Sequence, residues 1–174
     1  MDLFEAIKKR HSYRKDFEDT KIPKEDLIKI VQAGIDAPSG CNAQSTSFVI
    51  VDDEAIIDKM RGIVKNNAIK TAQAVIVVLA SDEPAYNGIS FAKEDYSAAV
   101  ENILLAITAL GYATVWIDGA LRREQKAERI AELLGVPEEL TVSVVLPMGV
   151  PKEHIAPNEK LPFEKRAWFN GYKK

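Results

Sequence analysis

Five consecutive residues near the N-terminus, Arg10, His11, Ser12, Tyr13 and Arg14, put two guanidiniums, an imidazole and a hydroxyl within reach of one anion. Arginine presents a planar fork of donors that matches a phosphate, and charge-assisted bonds of this kind are the strong ones. The Ser12 hydroxyl and nearby backbone N–H groups would fill the remaining phosphate lone pairs. A solvated basic surface patch has the same composition, so this motif does not decide the matter alone.

A second set falls between a helix and a strand, where Pro38, Ser39, Asn42 and Gln44 share one turn. Amide side chains both donate and accept, which suits a heterocyclic cofactor and its polyol chain. A plain capping turn would use the same residues. A third set places Glu101 and Asn102 in an otherwise apolar helix. Buried polar groups need partners, from backbone or from a facing subunit.

The common self-sufficient catalytic devices are absent from the sequence. His11 and His154 stand in no metal-ligand spacing, and Cys41 is the one cysteine. No Gly-x-Ser-x-Gly elbow, Gly-x-Gly-x-x-Gly turn or Walker loop occurs. An enzyme built from these residues would leave its chemistry to a cofactor.

The elements that must position these groups follow from periodicity. Residues 2–9 read as a helix with Leu3, Phe4 and Ile7 on one face. Pro23 opens a second helix whose core face is Leu27, Ile28, Ile30, Val31 and Ile35. Residues 48–51 form a strand, and a helix follows through Ile56, Ile57, Met60 and Ile63. Residues 74–80 are a β-branched run expected to be buried on both faces. Residues 93–110 make a helix apolar nearly all round, capped by Gly111, which hints at subunit contact. Residues 114–117 and 141–147 are further strands, with an amphipathic helix from Arg122 to Leu134 between them. The tail from Pro151 carries Trp168, Phe169 and Tyr172 but has no core of its own, so these rings need a surface. Helices interleaved with about four strands predict a sheet covered on both faces.

The chain has 174 residues, a net charge of −3, 47% hydrophobic and 28% charged residues. This suits a single domain spanning 1–174, without repeats or a flexible linker. The charge balance gives no basic field for nucleic acid or an acidic membrane. Neither a signal peptide nor an apolar run of spanning length is present, and one cysteine implies no disulfide; the expected location is the cytoplasm.

Arg-His-Ser-Tyr-Arg at 10–14, Ala-Pro-Ser-Gly-Cys-Asn-Ala-Gln at 37–44, Glu-Asn-Ile-Leu-Leu-Ala at 101–106, Leu-Gly at 110–111 and Trp-Ile-Asp-Gly at 116–119 together resemble the FMN-dependent nitroreductase-like family. The resemblance runs along nearly the whole chain. It implies an α+β fold, a three-layer α/β/α arrangement with a mixed central sheet, in a domain-exchanged homodimer with FMN at the subunit interface. By that resemblance Arg10, His11, Ser12 and Arg14 hold the phosphate and ribityl chain, and Lys160 closes on the phosphate. Ser39 and Asn42 reach the flavin from the other subunit, and Pro38 and Gln44 of the same turn are cofactor-binding candidates. Asp118 and Gly119 lie at its reactive edge, where a glycine lets backbone come close, and Trp116 and Ile117 before them are cofactor-binding candidates. The implied activity is hydride transfer from NAD(P)H, through the flavin, to an electron-poor acceptor such as a nitroaromatic or a quinone. No side chain is expected to act as a nucleophile.

Two departures stand out. Ser45 and Thr46 follow Gln44 where the family often has proline and an aromatic, and the stretch between Met60 and Ala74 is short. In that stretch Asn66, Asn67 and Lys70 are candidate flavin contacts. The alternatives are a flavin-binding sensor without turnover and a structural α/β domain without a cofactor.

Overall fold

The computed structural model describes residues 1–172. In chain order its main elements are α1 (Leu3–Lys9), α2 (Lys24–Ile35), β1 (Thr46–Val51), α3 (Glu54–Val64), β2 (Ala74–Ala80), α4 (Ala92–Ala109), β3 (Ala113–Thr114), α5 (Lys126–Leu134) and β4 (Thr141–Gly149). The strands lie in the order β1-β2-β4-β3.

Every residue of β2 is buried, as its unbroken apolar run requires. Its two faces serve two cores. Ala74, Ile76 and Val78 pack with Leu27 and Ile30 of α2 and with Val100, Ile103 and Ile107 of α4. Val75, Val77 and Leu79 pack with Ile57 and Met60 of α3 and Ile130 of α5. The result is the expected three layers, helices on both faces of a sheet. All pairings between the four strands are antiparallel. The mixed character comes from one parallel bridge, between Ser12 and Thr114.

Helix ends follow local chemistry. The Asp2 and Asp53 carboxylates accept the Glu5 and Ile56 backbone N–H groups at 3.0 and 3.1 Å, which starts α1 and α3. Gly111 at φ 86° follows the last turn of α4, and Gly135 at φ 65° ends α5.

The α1 face that carries Leu3, Phe4 and Ile7 is exposed, because the helix turns only Ala6 inward. Three expectations need correction. Ile28 and Ile35 of α2 are likewise exposed, since the buried stripe of that helix is Leu27, Ile30, Val31 and Gly34. The strand expected at 114–117 stops at Thr114, and Ile117 returns to the sheet through a single bridge to Val145. The helix expected from Arg122 begins at Lys126, because Glu124 and Gln125 adopt φ of 57° and 52° and break it.

Candidate functional site

The basic segment at residues 10–14 is held edge-on to the sheet. Tyr13 donates its backbone N–H to the Thr114 carbonyl at 2.8 Å, and its ring is fully buried. Its hydroxyl donates to the Asp16 carbonyl at 2.7 Å and accepts the Glu153 N–H at 3.3 Å. Further along, Phe17 donates its N–H to the Thr71 hydroxyl at 2.8 Å, and its ring lies so close over Gly149 that a Cβ there would stand 2.7 Å from it. Strand periodicity therefore buries Tyr13 and turns Ser12 and Arg14 outward, where both are exposed.

His11 is partly buried. Its Nδ1 lies 2.9 Å from the Lys9 carbonyl, which can only accept, so that nitrogen carries the proton. Its Nε2 is buried and has no partner. In that tautomer the orphaned nitrogen is an acceptor, so it asks for a donor such as a ligand hydroxyl. The Arg10 guanidinium stands 3.6 Å from Glu101, and among the described residues Arg14 and Lys160 make no ion pair. Arg10 and Lys160 line one open cleft of about 830 Å³, although the sequence separates them by the whole domain.

Ser39, Asn42 and Gln44 sit on a tight loop after α2, where Cys41, Asn42 and Gln44 adopt positive φ. The Ser39 hydroxyl accepts the Gln44 N–H at 3.0 Å, and Asn42 and Gln44 point no side chain into the core, both being exposed together with Pro38. Pro38, Ser39 and Gln44 border a cavity of about 60 Å³ beside Asp95. The loop is positioned by the close packing of α2 on α4. There Asn102 donates to the Ala33 carbonyl at 3.0 Å, so both polar residues of the apolar helix find partners within the chain.

The segment Trp116–Gly119 divides its work. Ile117 is buried, and its N–H and carbonyl both bond Val145, so it anchors the segment through the core. Trp116 and Asp118 are half-buried, and Gly119 is exposed, with nothing within 4 Å of where a Cβ would stand. Asp118 accepts two bonds from Arg122, at 2.7 and 2.8 Å. That fork keeps the Arg122 guanidinium firmly protonated. Burial, reinforced by Asp118, raises the neighbouring Tyr96 phenol above its ordinary range, so it stays neutral. Tyr96, Asp118 and Arg122 share a cavity of about 530 Å³.

Asn66 is engaged in capping, its side chain accepting the Ala68 N–H at 2.9 Å, while Asn67 and Lys70 are exposed. Sequence reading gave no site role to Arg122, Tyr13 or Asp95. The i, i+4 spacing of Asp118 and Arg122 was a usable signal, but the pair closes over a turn rather than a helix. Nothing in the sequence marks Asp95, which looks like an ordinary acid in the first turn of a helix.

Within one chain, three groups of candidate residues therefore face three separate cavities. The cleft holds Arg10 and Lys160, the loop cavity holds Ser39 and Gln44, and the third holds Asp118.

Comparison with known proteins agrees with this fold. The model of the nitroreductase family matches residues 7–77 and 64–150. An Archaeoglobus fulgidus protein, provisionally named an NADH dehydrogenase/NAD(P)H nitroreductase, is 37% identical over 138 residues, covering 79% of each chain. An iodotyrosine deiodinase from Thermotoga neapolitana is 27% identical, covering 92% of each. Among solved structures, an FMN-dependent nitroreductase from Clostridium difficile superimposes with a TM-score of 0.82 at 27% identity, covering 98% of this chain and 100% of that one. The chain belongs to the nitroreductase family of oxidoreductases. No helix among the described residues is long and apolar enough to cross a membrane, and no group of metal-ligating side chains occurs among them.

Proposed function

We propose that this chain binds FMN between two copies of itself and passes reducing equivalents from NADH or NADPH to a nitroaromatic or quinone acceptor. The observation that carries the reading is the segment at residues 10–14, fixed against the sheet edge, which carries two arginines and an orphaned His11 nitrogen. The set fits a phosphate ester with a polyol chain: Arg10, Arg14 and Lys160 supply cations, Ser12 a hydroxyl, and His11 a ring acceptor for a chain hydroxyl. FMN, when bound, supplies a ring that accepts and returns hydride at N5.

The side chains bind, orient and exclude water. Arg10, His11, Ser12, Arg14 and Lys160 hold the phosphate and ribityl chain. Pro38, Ser39, Asn42 and Gln44 of the partner subunit close over the ring. Trp116 shields one side, and Gly119 leaves bare backbone where a ring and a second planar molecule must come within about 3–3.5 Å of each other. Asp118 enters already neutralised by Arg122, so it adds no uncompensated negative charge near an electron-rich ring.

A second copy is supported by what one chain leaves uncovered. Phe4 is 81% exposed on α1, and Leu161, Phe163, Phe169 and Tyr172 are exposed on the tail. Of these, the Phe163 and Phe169 rings pack on each other at 6.0 Å, an exposed aromatic pair of the kind a partner covers. A homodimer that exchanges the tail would cover it and bring the separated candidate groups together. The single domain and a cytoplasmic location remain parts of this proposal.

Steady-state oxidation of NADH or NADPH with nitrofurazone or menadione as acceptor tests the activity. Turnover dependent on added acceptor and on bound FMN is expected. A yellow protein inert toward every acceptor would support a flavin-binding role without turnover instead.

A further inference from the structure

The loop at residues 39–45 is strained and small. Cys41, Asn42 and Gln44 hold φ of 52°, 55° and 51°, a region that side chains with a Cβ adopt at a cost. Gly40 has no room for a Cβ, which would run into the Phe91 ring. Such a conformation persists only when its surroundings over-determine it.

One side chain does this from outside the loop. Asp95, only 5% exposed, accepts the Gly40 N–H at 2.7 Å with Oδ1 and the Ser45 hydroxyl at 2.6 Å with Oδ2. Among the described residues it has no cation within 4 Å. A buried carboxylate without a counter-ion is costly, and the hydrogen bonds that this side chain accepts both come from the loop. Both partners of its side chain lie in one loop, Gly40 at the start of a single 3-10 turn (Gly40–Asn42) and Ser45 just beyond it, and neither lies in the sheet.

We propose that Asp95 is the positioning residue of this loop: its carboxylate clamps Gly40 and Ser45 so that Ser39 and Asn42 are held ready to grip the flavin. This rests on the proposed reading that the loop contacts FMN. Asp95 itself lies behind the loop and acts through it.

The test compares Asp95→Ala, Asp95→Asn and Ser45→Ala with a Ser39→Ala/Asn42→Ala double variant, each titrated as apoprotein with FMN. Asp95→Asn can keep both bonds, its amide oxygen accepting from Gly40 and its NH₂ donating to a rotated Ser45 hydroxyl. Asp95→Ala is expected to raise the FMN Kd by about tenfold or more, and Asp95→Asn to bring it back within about threefold of the parent. Amide exchange at residues 40–44 of the apoprotein should accelerate in Asp95→Ala while α2 and α4 stay protected. If Asp95→Ala fails to fold, Ser45→Ala cuts a single arm and is expected to weaken FMN binding by several-fold.

A folded Asp95→Ala with parental affinity, or an Asp95→Asn as weak as the alanine variant, overturns the clamp. With Asp95→Ala unfolded, an unchanged Kd in Ser45→Ala does the same. If the double variant loses affinity while the clamp variants do not, the flavin loop stands and the role of Asp95 falls. If the double variant binds FMN like the parent, the loop does not contact flavin and both ideas are rejected.

Discussion

Replacing Arg10 by alanine should weaken FMN binding by an amount that the structure lets us bracket. In the free protein the guanidinium stands 3.6 Å from Glu101, whose side chain is 51% exposed. Such a half-solvated pair contributes up to about 1 kcal/mol. A charge-assisted bond to a phosphate contributes about 1.5–3 kcal/mol. If binding costs Arg10 part of its contact with Glu101, the net loss in Arg10→Ala is about 1–2 kcal/mol or somewhat more, so Kd rises about tenfold. Glu101→Gln should move the other way, freeing Arg10 and tightening FMN by up to about fivefold. Arg10→Lys should fall between, because it keeps the charge and loses the fork. Fluorescence titration of the apoprotein with FMN reads all three. Unchanged affinity in Arg10→Ala would refute the phosphate assignment, and weakened affinity in Glu101→Gln would show that Glu101 supports Arg10 rather than competing for it.

The remaining predictions concern the frame around the site. Phe4→Glu places a charge on the most exposed face of α1 and is expected to yield monomers on size-exclusion chromatography with light scattering, with FMN lost in parallel; a monomer that retains FMN would place the site within one chain. Gly34→Ala would set a Cβ 2.7 Å from Ile103 at the α2–α4 contact, so urea denaturation should show a loss of about 1–3 kcal/mol despite the better helix propensity of alanine. Tyr112 donates to Asp26 at 2.7 Å, and burial together with this bond pushes the phenol up to about 12, while the same bond and Lys29 hold Asp26 below its ordinary value. The raised phenol stabilises the fold fully below its unfolded value near 10 and loses that contribution as pH rises to about 12. The depressed carboxylate stabilises above its unfolded value of 3.8 and loses that contribution as pH falls below it. Tyr112→Phe should therefore flatten the alkaline limb of a plot of Tm against pH and weaken the acid limb.

Much of this fold was legible because it rests on strong local patterns. The run at 74–80 could only be a strand buried on both faces, and helix 93–110 and its glycine cap differ from α4 by a residue at either end. What failed depended on which apolar surface the fold would leave open. Periodicity groups Ile28 and Ile35 with the core face of α2 but cannot say that both turn to solvent within one chain. The break before α5 comes from two non-glycine residues at positive φ, for which Glu124 and Gln125 carry no sequence signal. At the proposed site, the arginines and Ser12 are candidates from their chemistry, and Lys160 only through the family resemblance. Asp95 is not, because its role exists only once α4 lies under a loop 50 residues away in sequence.

The absorption spectrum of the purified protein tests the central claim most directly. The account predicts the bands of oxidised flavin at one FMN per chain, bleached by NADH or NADPH under anaerobic conditions. A colourless protein that takes up no flavin on reconstitution would contradict it.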